Sequence, residues 1–558
     1  MMRARPWRIS SKMNRSLSRV HTRLVHGGAV LLILAALAHG LSMTHSRDWP
    51  DGPDTFRDIG AAEMMRETIG PSLHQRTPLP DLYYRDEVFW YSPLMPALLA
   101  ASAAIARAPM HLVATRIPVF WNLGGPIAFY ACAAVLFDPI VAFVALALFL
   151  FVEPFPAREA GTYAPALITS SFAQGFFYLA LLAWTYLRRN ARVWPAVAAG
   201  CVLGVSFLAH TAVTAILTAV FIIDALAWLY ESTHVRERLR TVALCALVAG
   251  IGVIAAAPAV IPLIHYHFQI RELEPFVFLY PQMGPAHALD VLRVNLDTNR
   301  IFTGAAAIGL IALLVQPPSI GRRLTLAWSA VALALFVWSA WVVRLATWDW
   351  VARLAIAPAH HFLIYIRAAE SLLGGIGITA LIRLVQSRTR VAVELPLAAC
   401  VIAGLIGVNF SRYHDRDTHM KQPEFSENQK AAVEWIRRSA DPSSVFLAPE
   451  NTGVSMIGMV RRKTVLVEPV FSNPYVEWEP RFEAWQAMWA SLEAKNCGEF
   501  TSRADRFDVT HVLLVDGMTP PIGDGACGFR KVFEAAPFTI LSRVPDRPVS
   551  ETTARPFF

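Results

Sequence analysis

Residues 25–43 read VHGGAVLLILAALAHGLSM, an apolar run that contains no Asp, Glu, Lys or Arg. A helix needs about 20 such residues to cross a bilayer, so this run is long enough to begin a membrane span. It follows residues 1–23, which carry seven Lys and Arg side chains and no acid. Positive charge before a first span holds the N-terminus in the cytoplasm. The next segment, residues 44–92, is therefore predicted to form a large outer loop.

A cleavable signal peptide is the alternative interpretation of the run, because Ala36-Leu37-Ala38 is similar to a small-residue cleavage site. Polytopic proteins rarely need such a peptide, so an uncleaved first span is favoured. Both interpretations put the loop 44–92 outside.

The composition excludes a soluble globular or disordered protein. Of the 558 residues, 55% are hydrophobic and only 16% are charged. The net charge of +8 comes almost entirely from the first 23 residues, so it indicates a topological anchor and not a surface for nucleic acid. The chain is predicted to be a polytopic α-helical membrane protein.

Twelve apolar runs are candidate transmembrane helices. They cover residues 25–43, 93–108, 113–136, 138–153, 164–186, 193–210, 212–230, 241–264, 301–316, 324–343, 361–382 and 391–409. If all twelve crossed, the Arg clusters within 188–192, 236–240, 322–323 and 383–390 would lie outside, against the positive-inside rule.

About 11 crossings put every one of these clusters in the cytoplasm. The short, Ala-rich segment 93–108 is the favoured non-spanning element, and the short run 138–153 is the alternative. The chain then divides into a basic cytoplasmic tail (1–23), a transmembrane domain (24–409) and an outer C-terminal domain (410–558).

Beyond residue 410, helix and strand patterns alternate, which predicts a small extracytoplasmic α/β domain. Helices are predicted over 428–439 and 481–495, and strands over 444–448, 464–468, 511–516, 531–535 and 539–543. Cys497 and Cys527 are the only cysteines of this domain and lie in loop-like sequence. Two cysteines in an oxidising compartment most simply form a disulfide.

The outer loop 44–92 is rich in carboxylates beside the membrane, where they are costly unless paired or used. Asp48, Asp51, Asp54 and Asp58 all lie in its first part, and the last two share one face of a helix. In the alternative interpretation, Asp54 caps a helix that begins at Thr55 and Asp58 lies in its first turn.

Several features together resemble one family. They are the basic N-terminus, one span, an outer loop with an early Asp, the entry Trp90-Tyr91-Ser92-Pro93-Leu94, and a C-terminal run from Ala431 through Ser444–Pro449 and Arg461 to Val509–Val515. In this arrangement the chain resembles the polytopic GT-C glycosyltransferases. The resemblance implies transfer of a sugar from a polyprenyl-phosphate donor on the outer face, with an Asp or Glu of the first loop as general base.

Asp54 is the first choice for that base, because the turn Gly52-Pro53 before it could aim the carboxylate. Asp58 is the second choice, and Asp48 or Asp51 the third. Asp51 is also a candidate substrate-binding residue.

The second outer loop would meet the first above the membrane and contributes Arg158, Glu159 and Tyr163 as candidate substrate-binding residues. The resemblance makes Glu159 a candidate ligand for a divalent metal such as Mg²⁺ or Mn²⁺. Arg158 and Glu159 form a structural pair in the alternative interpretation.

His360, His361 and Arg367 are candidate ligands for the lipid phosphate at the outward end of a span. A guanidinium is costly inside a membrane, and Glu370 lies at the spacing of a helical ion pair. The alternative is therefore that Arg367 and Glu370 only satisfy each other.

The predicted function is sugar transfer to an envelope glycan, lipid or protein acceptor at the bacterial cytoplasmic membrane. A transporter or flippase of a lipid-linked envelope precursor is one alternative, with His210 and Asp224 as its candidate proton-relay groups. A non-catalytic envelope assembly protein is the other.

Overall fold

A computed structural model of the chain describes residues 11–50, 52–72, 79–85, 87–151, 162–268, 284–298, 300–345, 357–389, 394–405, 407, 425–520 and 522–544. Helices make up most of the part that precedes residue 410. In chain order they are α1 (Ser11–Thr44), α2 (Pro53–Ser72), α3 (Leu94–Ala106), α4 (Met110–Arg116), α5 (Pro118–Trp121), α6 (Gly124–Leu136), α7 (Pro139–Phe151), α8 (Thr169–Asn190), α9 (Val193–Ala209), α10 (Thr211–Glu231), α11 (Val235–Pro262), α12 (Pro285–Thr298), α13 (Arg300–Val315), α14 (Ile320–Leu345), α15 (His360–Thr389) and α16 (Glu394–Leu405).

Six stretches of helix in the described residues are long and apolar enough to cross a membrane, and five shorter helices are apolar as well. The long ones are Val20–Thr44, Met110–Leu136, Thr211–Glu231, Val235–His265, Ile320–Val342 and His360–Arg388. The protein is a multi-pass membrane protein, as its composition predicts.

The four Arg clusters that the sequence assigns to one side of the membrane are joined by contacts at one end of the helix bundle. These contacts are Arg188–Glu231, Arg323–Glu231, Arg240 with the Ala191 carbonyl, Arg189 with the Val135 carbonyl, and Arg383–Asp138. Eleven and twelve crossings both put the four clusters on one side of the membrane, so these contacts are compatible with either count. The number of crossings and their direction stay predictions.

Both ends of α3 lie near the loop that follows α1. Tyr91, just before α3, packs against Arg57 of α2, while His111, just after it, stacks on Trp49 with ring centroids 4.5 Å apart. The segment that the sequence selects as non-spanning thus begins and ends beside the first loop.

The C-terminal domain contains helices α17 (Glu427–Ser439), α18 (Glu450–Thr452), α19 (Trp478–Glu493) and α20 (Cys497–Arg506), and strands β1 (Val445–Leu447), β2 (Lys463–Thr464), β3 (Val509–Val515), β4 (Phe529–Ala535) and β5 (Phe538–Arg543). The sheet has the order β2-β1-β3-β5-β4. Strands β2, β1 and β3 run parallel, and the terminal hairpin adds to β3 in the antiparallel sense.

The predicted disulfide is confirmed, with an S–S distance of 2.10 Å between Cys497 and Cys527. Its surroundings differ from the loop that the sequence predicts, because Cys497 begins α20. Only Phe500 and Ala504 of this helix are buried, so its apolar periodicity is too sparse to read from the sequence.

The first loop packs closely against the C-terminal domain, with α2 in the contact. A Cβ atom on Gly60 of α2 would lie 2.2 Å from the carbonyl oxygen of Gly458, so the two backbones touch where only glycine fits. Beyond α2, the Tyr83 carbonyl accepts a hydrogen bond from the Thr464 N–H of β2 at 2.9 Å. The loop and the domain therefore form one structural unit that carries α2.

Candidate functional site

The conformation of the first turn of α2 follows from the Gly52-Pro53 sequence at its start. Gly52 has a φ of +91°, a conformation that favours glycine, and its carbonyl accepts hydrogen bonds from the N–H groups of Thr55 and Phe56. Pro53 is the first helical residue, where its missing N–H costs nothing. Asp54 thus lies inside the first turn, next to the positive end of the helix dipole, and the helix begins two residues earlier than the capping interpretation assumes.

Arg57 links the two predicted catalytic aspartates. Its Nη1 donates to Asp54 Oδ1 at 2.8 Å, and its Nε donates to Asp58 Oδ1 at 3.1 Å. The guanidinium carbon lies 4.4 Å from the centroid of the Tyr91 ring, a cation–π distance. The guanidinium is therefore held by two carboxylates and by an aromatic face.

Asp58 is buried inside this arrangement. Its second oxygen, Oδ2, accepts a hydrogen bond of 3.0 Å from the Thr169 hydroxyl at the start of α8. Burial raises the pKa of Asp58, and the adjacent Arg57 charge opposes that shift. Both carboxylate oxygens are engaged within the protein, so Asp58 is suited to holding Arg57 in place.

Asp54 differs from Asp58 in its exposure. Its side chain is 60% exposed, against 5% for Asp58. Within the described part of the chain, Asp54 Oδ2 receives no hydrogen bond. Of the two predicted bases, only Asp54 therefore presents a free carboxylate oxygen to a ligand.

Three histidines, His360 and His361 at the start of α15 and His210 in the turn between α9 and α10, meet near Arg57 and Asp54. The ring of His361 lies 4.8 Å from that of His210, in the turn between α9 and α10, and 4.3 Å from that of His360. Burial of the ring and the nearby Arg57 charge lower the pKa of His210 to about 4, while Asp54 opposes the shift. His210 is thus within electrostatic range of the predicted base, and it joins that base to the predicted His360-His361 pair.

His210 is neutral near pH 7, and its tautomer follows from its contacts. Its Nδ1 accepts the backbone N–H of Ala212 at 3.2 Å, capping α10. The ring proton therefore lies on Nε2, which makes His210 a hydrogen-bond donor on its other side.

A small cavity of about 20 Å³ lies beside the first turn of α2. Its lining includes Thr55, next to Asp54, together with Arg47 and Trp49 of the first loop. The cavity has room for about one water molecule, and Asp54 is not among the residues that line it.

Other predicted residues lie apart from this cluster. Arg367 pairs with Glu370 at 2.6 Å and lies 5.2 Å from the ring centroid of Phe302, which is the geometry of the structural alternative. Tyr163 is buried and lies close to α1, because a Cβ atom on Gly40 would be 3.1 Å from its hydroxyl. In the part of the chain that the structure describes, Arg367 has no contact with Asp54 or with the histidines.

Asp48, the third choice for the base, forms an exposed ion pair of 3.1 Å with Arg116. Asp51, Arg158 and Glu159 lie outside the described residues. In the ranges that are described, no group of three or more His, Cys, Asp or Glu side chains has metal-binding geometry.

Four residues of the cluster are absent from the predicted site: Arg57, Tyr91, Thr169 and His210. The spacing of Arg57, three residues after Asp54 and beside Asp58, is a helical ion-pair signal that could have identified it. Thr169 and His210 come from distant parts of the chain, and only the helix packing brings them here.

No family model matches the chain, and neither does any curated protein sequence. Solved structures do match its fold. The oligosaccharyltransferase of Archaeoglobus fulgidus superposes with a TM-score of 0.56 at 13% identity, over 87% of this chain and 69% of that one.

Two further structures are similar. ArnT from Cupriavidus metallidurans, solved with undecaprenyl phosphate bound, gives a TM-score of 0.54 at 13% identity, over 93% of this chain and 98% of that one. The arabinofuranosyltransferase AftD from Mycobacteria gives 0.51 at 13% identity, and the match spans 92% of this chain but 40% of AftD. The chain thus has the fold of the GT-C membrane glycosyltransferases, as its sequence resemblance predicts.

Proposed function

We propose that this protein is a membrane glycosyltransferase that moves a sugar from a polyprenyl-phosphate donor to an envelope acceptor on the outer side of the bacterial cytoplasmic membrane. The observation that carries the proposal is the free oxygen of Asp54 on the first outer-loop helix of a GT-C fold. The fold relatives support the donor class, since one is solved with undecaprenyl phosphate and another with a dolichol phosphate.

In the proposed reaction, Asp54 is the general base. The acceptor hydroxyl donates its proton to Asp54 Oδ2 while its oxygen bonds to the anomeric carbon of the sugar. The bond between that carbon and the phosphate oxygen breaks, and the polyprenyl phosphate leaves. Arg57 fixes the direction of the carboxylate by holding Oδ1 at 2.8 Å.

The leaving phosphate needs donors that stabilise its negative charge. The His210–His360–His361 group is the proposed contact, and His210 donates through Nε2 as a neutral ring. Arg57, which binds Oδ1 of Asp54, contributes a fixed positive charge. Arg367 is not assigned this role, because Glu370 already neutralises it.

A divalent metal at Glu159 remains a proposal that rests on the family resemblance. One solved structure of the Archaeoglobus fulgidus protein contains Zn and sulfate. The described residues offer no complete ligand set, so no step of the reaction is assigned to a metal.

The test is reconstitution of the purified protein into vesicles with a radiolabelled undecaprenyl-phosphate sugar and envelope extract. We expect labelled acceptor to form together with free undecaprenyl phosphate. Movement of the intact donor across the vesicle membrane without any glycosylated product would instead indicate a flippase.

A further inference from the structure

The loop that leads from α2 to α3 contacts residues 469–473 of the C-terminal domain, in addition to its contacts with Lys463 and Thr464. Asn473, fully buried, donates from Nδ2 to both Asp81 Oδ2 and the Val88 carbonyl at 3.1 Å. The hydroxyls of Tyr84 and Ser472 are 2.9 Å apart. These three contacts attach the loop to residues that lie 385 to 392 positions further along the chain.

Asp81 makes the attachment rigid. Its Oδ1 accepts the backbone N–H groups of Tyr83 and Tyr84, at 2.8 and 2.9 Å, while Oδ2 accepts from Asn473. The Lys463 ammonium binds the carbonyl of Asp81. A buried carboxylate with this many donors holds one backbone conformation, because each donor left unpaired would cost free energy.

Tyr91 is the end of the same loop that reaches the site. Its hydroxyl donates to the Phe471 carbonyl at 3.3 Å, and its ring face lies 4.4 Å from the Arg57 guanidinium carbon. Tyr91 therefore contacts the 469–473 segment through its hydroxyl and, through its ring, Arg57, which holds both predicted catalytic aspartates.

We propose that the 469–473 segment acts as a clamp that holds Tyr91 against Arg57, so that the C-terminal domain positions the Asp54 carboxylate. Tyr91 and Asn473 are positioning residues and do not touch the substrate. This inference rests on the proposed function for its consequence in catalysis, but the mechanical link itself concerns only the fold.

The direct test compares Asn473→Ala and Tyr91→Phe with the control Asn428→Ala. Asn428 also donates to a backbone carbonyl, that of Ala536, but on an exposed side of the same domain. For Asn473→Ala we expect kcat to fall about 10- to 100-fold, since a small displacement of a catalytic group costs that much. Tyr91→Phe keeps the ring and loses only the hydroxyl, so we expect kcat to fall about 2- to 10-fold. For the control Asn428→Ala we expect kcat to be unchanged.

The donor KM separates positioning from general damage, because the proposed residues act on Asp54 and not on donor binding. We expect it to stay within about two-fold of the wild-type value in the correctly folded fraction of each variant. Wild-type kcat in both Asn473→Ala and Tyr91→Phe would overturn the clamp.

Hydrogen–deuterium exchange provides a readout that does not depend on activity. Peptides from 53–66 should exchange faster in Asn473→Ala than in Asn428→Ala, while peptides from α19 should be unchanged. If the wild-type protein transfers no sugar, the proposed function fails while this comparison still tests the clamp. Unchanged exchange over 53–66 would contradict it.

Discussion

Nη1 of Arg57 lies 2.8 Å from Oδ1 of Asp54. Because one carboxylate oxygen is held in this way, the other is the atom left to meet a ligand. The same guanidinium also holds the buried Asp58, which divides the two predicted catalytic residues by role. Asp54 is the exposed base, and Asp58 fixes the arginine that aims it.

The role of Asp58 predicts a loss of both stability and activity in Asp58→Asn. The substitution removes one of the two carboxylates that hold Arg57, and the loss of a buried ionic partner costs at most about 3 kcal/mol when the second partner remains. We expect a lower unfolding temperature and at least about a ten-fold lower kcat per folded molecule. Glu63→Gln is the control, because Glu63 forms an i,i+3 pair with Arg66 on the same helix. Equal effects of the two substitutions would contradict the assignment.

Arg57→Lys tests whether geometry or charge matters at the centre of the cluster. Lysine keeps the positive charge but lacks the planar fork that holds Asp54 and Asp58 together and stacks on Tyr91. We expect kcat to fall by about ten-fold or more while protein yield changes little. Full activity in this variant would show that a point charge is sufficient.

His210 predicts a dependence of stability on pH. Its pKa is about 4 in the folded protein, below the ordinary value of 6.5, so the unfolded chain binds a proton first as the pH falls. The stability that the neutral ring contributes is present above pH 6.5 and is lost between pH 6.5 and 4. The variant His210→Asn retains a helix-capping side chain but cannot bind this proton. We expect its unfolding temperature to fall less steeply than that of the wild type as the pH is lowered from 6.5 to 4. Identical slopes would contradict the lowered pKa.

Asp224 is predicted to be structural and not a proton relay. It is fully buried and pairs with Arg188 at 2.8 Å, and the Trp184 indole N–H donates to it at 2.8 Å. We expect Asp224→Asn to reduce stability by about 3 to 5 kcal/mol, because Arg188 loses a buried partner. Glu231→Gln, at a half-exposed partner of the same arginine, should cost about 1 kcal/mol or less.

Activity distinguishes the two interpretations of Asp224. Sugar transfer per folded molecule should stay within about two-fold of wild type in Asp224→Asn, since the residue lies at the opposite end of the bundle from Asp54. A selective loss of transport or transfer in fully folded protein would instead support a relay.

The sequence predicts the large features of the fold because they follow from local composition. The Arg clusters identify one end of the bundle, and the contacts of Arg188, Arg323 and Arg383 lie there together. The helical turn after Gly52-Pro53 and the pairing of Cys497 with Cys527 are likewise readable, because each depends on residue types at short or unique spacing.

The composition of the site is less predictable, because its members are joined by packing over long distances. Thr169 reaches Asp58 across 111 residues, and His210 meets His361 only where α10 and α15 begin side by side. Arg367 illustrates the opposite case: its local partner Glu370 is visible in the sequence, and that pair forms. Short-range pairs are therefore better predicted than the cluster that brings separate helices together.

The most direct test of the proposed function compares sugar transfer by Asp54→Asn and Asp48→Asn. Both aspartates lie in the first outer loop, are exposed and pair with an arginine, so the substitutions are matched in charge and surroundings. If Asp54 is the base, kcat should fall by about 10²- to 10⁴-fold in Asp54→Asn and change by less than about two-fold in Asp48→Asn. Wild-type kcat in Asp54→Asn, measured on folded protein with saturating donor, would contradict the account.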